Sequence, residues 1–97
     1  MEKVVQITKA EAKPDPLLKI IRQDDWSAMR SAHSDREVFA YSCMSDSGNL
    51  YAIELFVSDL GAICGVCNCA AHAVCRHIKA ALEDLLTREP TFGMENL

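Results

Sequence analysis

The sequence predicts an α+β fold: a small three-stranded antiparallel sheet, a C-terminal helix and an N-terminal helical segment. Three observations lead there. Arg36–Met44 and Leu50–Val57 each alternate and are rich in aromatic and branched residues, and the turn-forming Asp46-Ser47-Gly48-Asn49 lies between them, which predicts an antiparallel hairpin. Ile78, Ala81, Leu82, Leu85 and Leu86 recur at helical spacing within Arg76–Arg88, with Arg76, Lys79 and Glu83 pointing outward. Between hairpin and helix, four of the five cysteines (Cys64, Cys67, Cys69 and Cys75) fall within twelve residues.

The remaining elements follow in chain order. Lys3–Thr8 is β-prone through Val4, Val5 and Ile7, so residues 1–14 are expected to be a tail or an edge strand, with Ala10–Pro14 as a linker. Asp15-Pro16 reads as a helix start, a capping acid followed by proline at the first helical position, and that helix would bury Leu17, Leu18, Ile20 and Ile21. A second short helix is expected after Asp24-Asp25, with Trp26, Met29 and His33 on one face. Ser58-Asp59-Leu60-Gly61 is a further turn, and Ala62–Val66 can pair as the third strand. Glu89-Pro90 ends the final helix, leaving Thr91–Leu97 as a frayed tail and residues 15–89 as a single domain.

Bulk composition narrows the function classes. With 49% hydrophobic and 25% charged residues, the chain has the make-up of an ordinary globular protein. The net charge of −4 argues against broad nucleic-acid binding, which needs clustered Lys and Arg. Leu60–Leu82 nevertheless carries only Arg76 and Lys79 as formal charges, so the cysteine-rich stretch is locally cationic. MEKVVQITKA lacks the apolar core of a secretory leader, and no run approaches the ~18 apolar residues of a membrane span. An odd, clustered set of cysteines fits a reducing intracellular setting better than a secreted disulfide framework, and there it usually signals metal.

The informative motif is Cys67-Asn68-Cys69, a gap of five residues, then Cys75-Arg76-His77 at the helix start. Three thiolates and an imidazole form a common tetrahedral set for structural zinc. A Cys-x-Cys pair in extended backbone points both sulfurs the same way, because strand side chains repeat every second residue. Cys75 at the helix cap and His77 in the first turn would complete one site. With three thiolates the zinc centre carries about −1, which the positive end of the helix and Arg76 would favour.

Cys-x-Cys followed by Cys-x-His, after a hairpin and before an amphipathic helix, strongly resembles the SWIM zinc finger. The resemblance covers Trp26 to Leu86, including Tyr41, Tyr51 and the run Cys-Arg-His-Ile-Lys-Ala-Ala-Leu from Cys75 to Leu82. That family occurs in chromatin remodellers, Mutator-like transposases, ubiquitin ligases and small recombination-associated proteins. The resemblance implies one zinc per chain, held by Cys67, Cys69, Cys75 and His77, in a module used for protein or DNA contacts.

Several residues admit a second reading. His72 could replace His77 as ligand or serve, with Arg76 and Lys79, as a contact for a partner or for nucleic acid. Cys64-Gly65-Val66-Cys67 matches the redox spacing, and Cys64 could act as a spare ligand; a small buried hydrophobe is the simpler reading, as it is for Cys43. A Cys75–His77 nucleophilic dyad lacks an orienting third group, and catalytic zinc lacks a nearby acid or base. Tyr41 and Tyr51 are expected to pack across the hairpin rather than stack on bases. The resulting expectation is a non-catalytic protein-interaction adaptor, with recombination, repair or transposition as its setting. Direct DNA binding is the alternative and thiol redox chemistry a distant one; neither a membrane nor a small-molecule substrate is expected.

Overall fold

The computed structural model describes residues 3–23, 38–69 and 74–93. Among these residues five strands, β1 (Lys3–Gln6), β2 (Lys19–Arg22), β3 (Phe39–Met44), β4 (Leu50–Val57) and β5 (Ile63–Cys67), precede one α-helix, α1 (Arg76–Arg88), with a single 3-10 turn at Lys9–Glu11. All pairings are antiparallel, and the strands lie in the order β1-β5-β4-β3-β2. The α+β class, the hairpin, its turns and the final helix follow the expectation, whereas the sheet has two strands more than predicted.

One of those strands replaces the expected N-terminal helix. Leu18 and Ile20 face the core, while Leu17 (59% exposed) and Ile21 (46%) face out, so the apolar residues alternate with period two. Asp15 is not a helix cap: its Oδ1 accepts the Leu17 amide at 3.0 Å and its carbonyl accepts that of Leu18 at 3.1 Å, closing a turn. The branched Ile20 and Ile21 then enter β2, which pairs with β3 from Lys19↔Met44 to Arg22↔Tyr41. The helix expected around Trp26, Met29 and His33 lies outside the described residues. β1 takes the edge beside β5, Lys3↔Cys67 to Gln6↔Cys64, realising the edge-strand option for the N-terminus.

Both hairpin turns are built alike. Ser45 donates its amide to the Asn49 carbonyl (2.8 Å) and Ser58 to that of Ala62 (2.8 Å), and Gly48 (φ 88°) and Gly61 (φ 84°) supply the left-handed residue. The resulting register places Phe39, Tyr41, Cys43, Ile53, Leu55, Val57, Ile63 and Cys67 on one face. Helix α1 covers this face with Ile78, Ala81, Leu82 and Leu85, as the spacing predicts, and also buries Ala80 and His77; Leu86 is half-buried. On the opposite face Val38, Phe56, Cys64 and Val66 form a second, smaller cluster.

Gly65 sets how closely the helix approaches. A Cβ there would stand 2.8 Å from Ile78 Cγ2 and 3.3 Å from Leu55 Cδ2, so only hydrogen fits between β5 and the first turns of α1. The other end of the helix is held by polar and aromatic contacts. Tyr41, fully buried, donates its hydroxyl to Asp84 Oδ2 at 2.9 Å, and the Nε of Arg88 donates to the same oxygen at 2.8 Å. Phe92 was expected in a frayed tail but is buried, meeting Phe39 edge-on at 5.5 Å between centroids. The apolar area of the ring, and a chain reversal closed by Phe92 N–H to Glu89 O (3.0 Å), bring it back onto the sheet.

Burial, with Asp84 against the hydroxyl, pushes the Tyr41 phenol well above its ordinary value of 10.0. The folded-state value exceeds the unfolded one, so its stabilising contribution is whole below about pH 10 and is lost as pH rises above that. Tyr41→Phe should cost about 1–3 kcal/mol at neutral pH, the worth of a hydrogen bond to a charged group. Urea unfolding should find the gap between wild type and variant closing in alkali; a gap that stays constant would mean the hydroxyl is not held protonated by the fold.

Candidate metal centre

The end of β5 and the start of α1 meet at one place. Asn68 continues the β4 ladder for one further step, its amide donating to the Ala52 carbonyl at 3.3 Å and its Oδ1 accepting the Ala52 amide at 3.0 Å. The backbone is therefore still extended through Asn68, and Cys67 and Cys69 fall on the helix side while Asn68 is exposed. Cys75 is the N-cap residue of α1, in extended conformation (φ −99°, ψ 167°), and His77 lies in the first turn.

Together, Cys67 Sγ, Cys69 Sγ, Cys75 Sγ and an imidazole nitrogen of His77 lie within 4.8 Å of one another. Cys67, Cys75 and His77 are buried and Cys69 is half-buried. A zinc tetrahedron with sulfur bonds of about 2.3 Å and nitrogen bonds of about 2.0 Å has edges of roughly 3.5–3.8 Å. The Cys67 Sγ to His77 Nδ1 separation, 3.8 Å, is of that size, and it makes Nδ1 the nitrogen turned toward Cys67. The donor set and its spacing fit one metal ion, with three sulfurs, one nitrogen and, among the described residues, no carboxylate in the group.

The sulfurs are electrostatically unequal. The hydrogen bond between Cys67 and Cys75, with help from the Ile78 amide, lowers the Cys75 thiol against the opposing effect of burial. Cys67, the proton holder of the pair, is raised by that same hydrogen bond and then by burial. An ion held by both sulfurs would displace the proton they share.

Tyr51 supports the site in a way the sequence reading missed. Its ring lies against the His77 imidazole, 4.3 Å between centroids and tilted by 31°. The signal was available in the register: Tyr51 shares the helix-side face of β4 with Ile53, which pairs with Cys67. Groups that orient a metal-ligating histidine typically change affinity by about 10–100-fold. Tyr51→Ala should accordingly speed metal transfer to a chromogenic chelator by about tenfold or more. An unchanged rate would reduce Tyr51 to a packing residue.

The competing cysteines separate by face. Cys64 points away from the cluster, into the Phe56 and Val66 patch, and its thiol donates to the Ala62 carbonyl at 3.7 Å. Cys43 is on the helix side but fully buried in the core, and burial pushes both thiols up. All five cysteines are free of disulfides. His72 lies outside the described residues. Arg76 is exposed as expected, yet its Nε and Nη2 both donate to Asp15 Oδ2 at 2.9 Å, a pairing that spans sixty-one residues. Lys79 is half-buried, and its carbonyl accepts the Lys13 amide at 3.2 Å.

No helix among the described residues is long and apolar enough to cross a membrane. Comparison with known proteins found no matching family model, no matching curated protein and no matching solved structure.

Proposed function

We propose that the chain is a SWIM-type module whose single zinc is structural and whose role is to bind another protein, as an adaptor in DNA recombination, repair or transposition. The observation that supports a structural ion is the donor set itself: four soft or borderline ligands, largely buried, joining β5 to α1. Four protein ligands complete a tetrahedron and leave no open position for substrate, and among the described residues no carboxylate belongs to the group. On that reading the module is not an enzyme. The resemblance of Cys67-x-Cys69 and Cys75-x-His77 to the SWIM pattern supports the setting.

A protein partner is favoured over DNA because the surface near the ion is poorly suited to a phosphate chain. Arg76 is already paired with Asp15, and Glu83 and Asp84 lie further along the helix. One or two phosphate contacts would give a salt slope of only about −1 to −2. Titrating zinc-loaded protein with duplex DNA at low and physiological salt should therefore find weak, salt-sensitive binding. In parallel, capture from the source cell should recover a protein with the zinc-loaded chain that is lost with Cys69→Ala. Tight DNA binding at physiological salt, abolished by Lys79→Glu, would reverse the order of the two readings.

A further inference from the structure

Beside the cluster, the segment 13–16 crosses the first turns of α1 and is pinned at both ends. At one end the Lys13 amide donates to the Lys79 carbonyl, and at the other Asp15 holds Arg76. Pro14 and Pro16, with their fixed φ, stiffen the crossing. Between it and the helix lies a cavity of about 320 Å³, lined by Lys13, Pro14, Asp15, Pro16, Arg76 and Lys79. Among the described residues, three cations and one carboxylate line it. That carboxylate is engaged on both oxygens, by the Leu17 amide and by the Arg76 guanidinium, so Lys13 and Lys79 dominate the local field.

We propose that this cavity receives a single anionic side chain, a carboxylate or a phosphoryl group, from a protein partner; the proposal rests on the protein-binding reading above. Three features select that ligand. The volume is at the small end for ligand sites, which run from about 300 to 1,000 Å³, so it suits one side-chain head group rather than a nucleotide. The excess positive charge asks for an anion. The third feature is what lies on the other side of the same crossing: a second cavity, of about 250 Å³, whose lining includes Leu18, Ala80, Glu83 and Asp84. A nucleic-acid backbone, with a charge every few ångströms, would carry its next phosphates against those two acids. A peptide instead places an acidic residue in the first cavity and an apolar neighbour over Leu18 and Ala80.

The test is an amide-shift titration of the zinc-loaded full chain with inorganic phosphate, a short acetylated Glu-rich peptide and a single-stranded oligonucleotide of equal charge. The peptide should shift Lys13, Asp15 and Arg76–Lys79 saturably, and added salt should weaken it. Lys13→Gln and Lys79→Gln together should weaken the peptide about tenfold, the effect of deleting charge-assisted contacts, with zinc content unchanged. Lys13→Gln alone, at an exposed position, should give part of that loss. Phosphate should shift the same amides more weakly. Absence of saturable shifts with the peptide, shifts that survive in the double variant, or tighter binding of the oligonucleotide would each overturn the proposal. This readout uses purified protein, so it can fail while cellular capture of a partner succeeds, and the converse also holds.

Discussion

Chelation of the ion is expected to release the N-terminal half of α1 from the sheet before the rest of the domain gives way. Apparent zinc-binding energies in finger peptides are about 10–16 kcal/mol at neutral pH, as large as the roughly 5–15 kcal/mol that holds a whole domain together. A chain of 97 residues has a modest core, so removal of such a term should be felt throughout. The effect should still be graded. Cys75 and His77 fasten the start of the helix, whereas Leu85, the Tyr41–Asp84 hydrogen bond and the Phe92–Phe39 contact fasten its end. Amide exchange after chelation should therefore rise most at Ile78 and Lys79 and least near Leu85. Cys69→Ala should reproduce the pattern, and Cys43→Ala should retain the ion. Unchanged exchange at Ile78 would mean the helix is positioned by packing alone.

A second large effect is expected at Gly65. Valine there must displace Ile78 or bend β5, because its Cβ alone would stand 2.8 Å from Ile78 Cγ2. Overpacking of this kind costs about 1–3 kcal/mol. The site lies two residues before Cys67 and the displaced residue follows His77 directly, so the same shift moves the two halves of the metal centre apart. Gly65→Val should lower both the unfolding free energy and the zinc affinity, with Gly65→Ala intermediate in each. Stability lost with affinity unchanged would show that the ligand geometry tolerates a helix displacement.

Much of the central architecture was legible because it rests on local pattern. Alternation over Phe39–Met44 and Leu50–Val57, turn residues between them and helical spacing over Arg76–Arg88 all lie within short windows. The clustering of Cys67, Cys69, Cys75 and His77 was legible for the same reason, since two two-residue spacings and a short gap confine the four side chains. The rest depends on partners distant in sequence. Lys19–Arg22 is four residues long, too short for periodicity to distinguish helix from strand, and it is extended because β3 offers an edge. Lys3–Gln6 joins β5 some sixty residues later. Asp15 looked like a helix cap, but its partner Arg76 comes from the other end of the chain. Phe92 read as tail because nothing in Thr91–Leu97 announces a contact with Phe39.

Cys67, Cys69, Cys75 and His77 are together expected to hold one structural zinc. X-ray absorption on protein purified with its metal, combined with elemental analysis, tests it most directly. The expected result is one zinc per chain in a shell of three sulfurs and one nitrogen, with the nitrogen lost in His77→Ala. A folded chain purified without metal from zinc-replete cells, or a shell of four sulfurs that persists in His77→Ala, would contradict it.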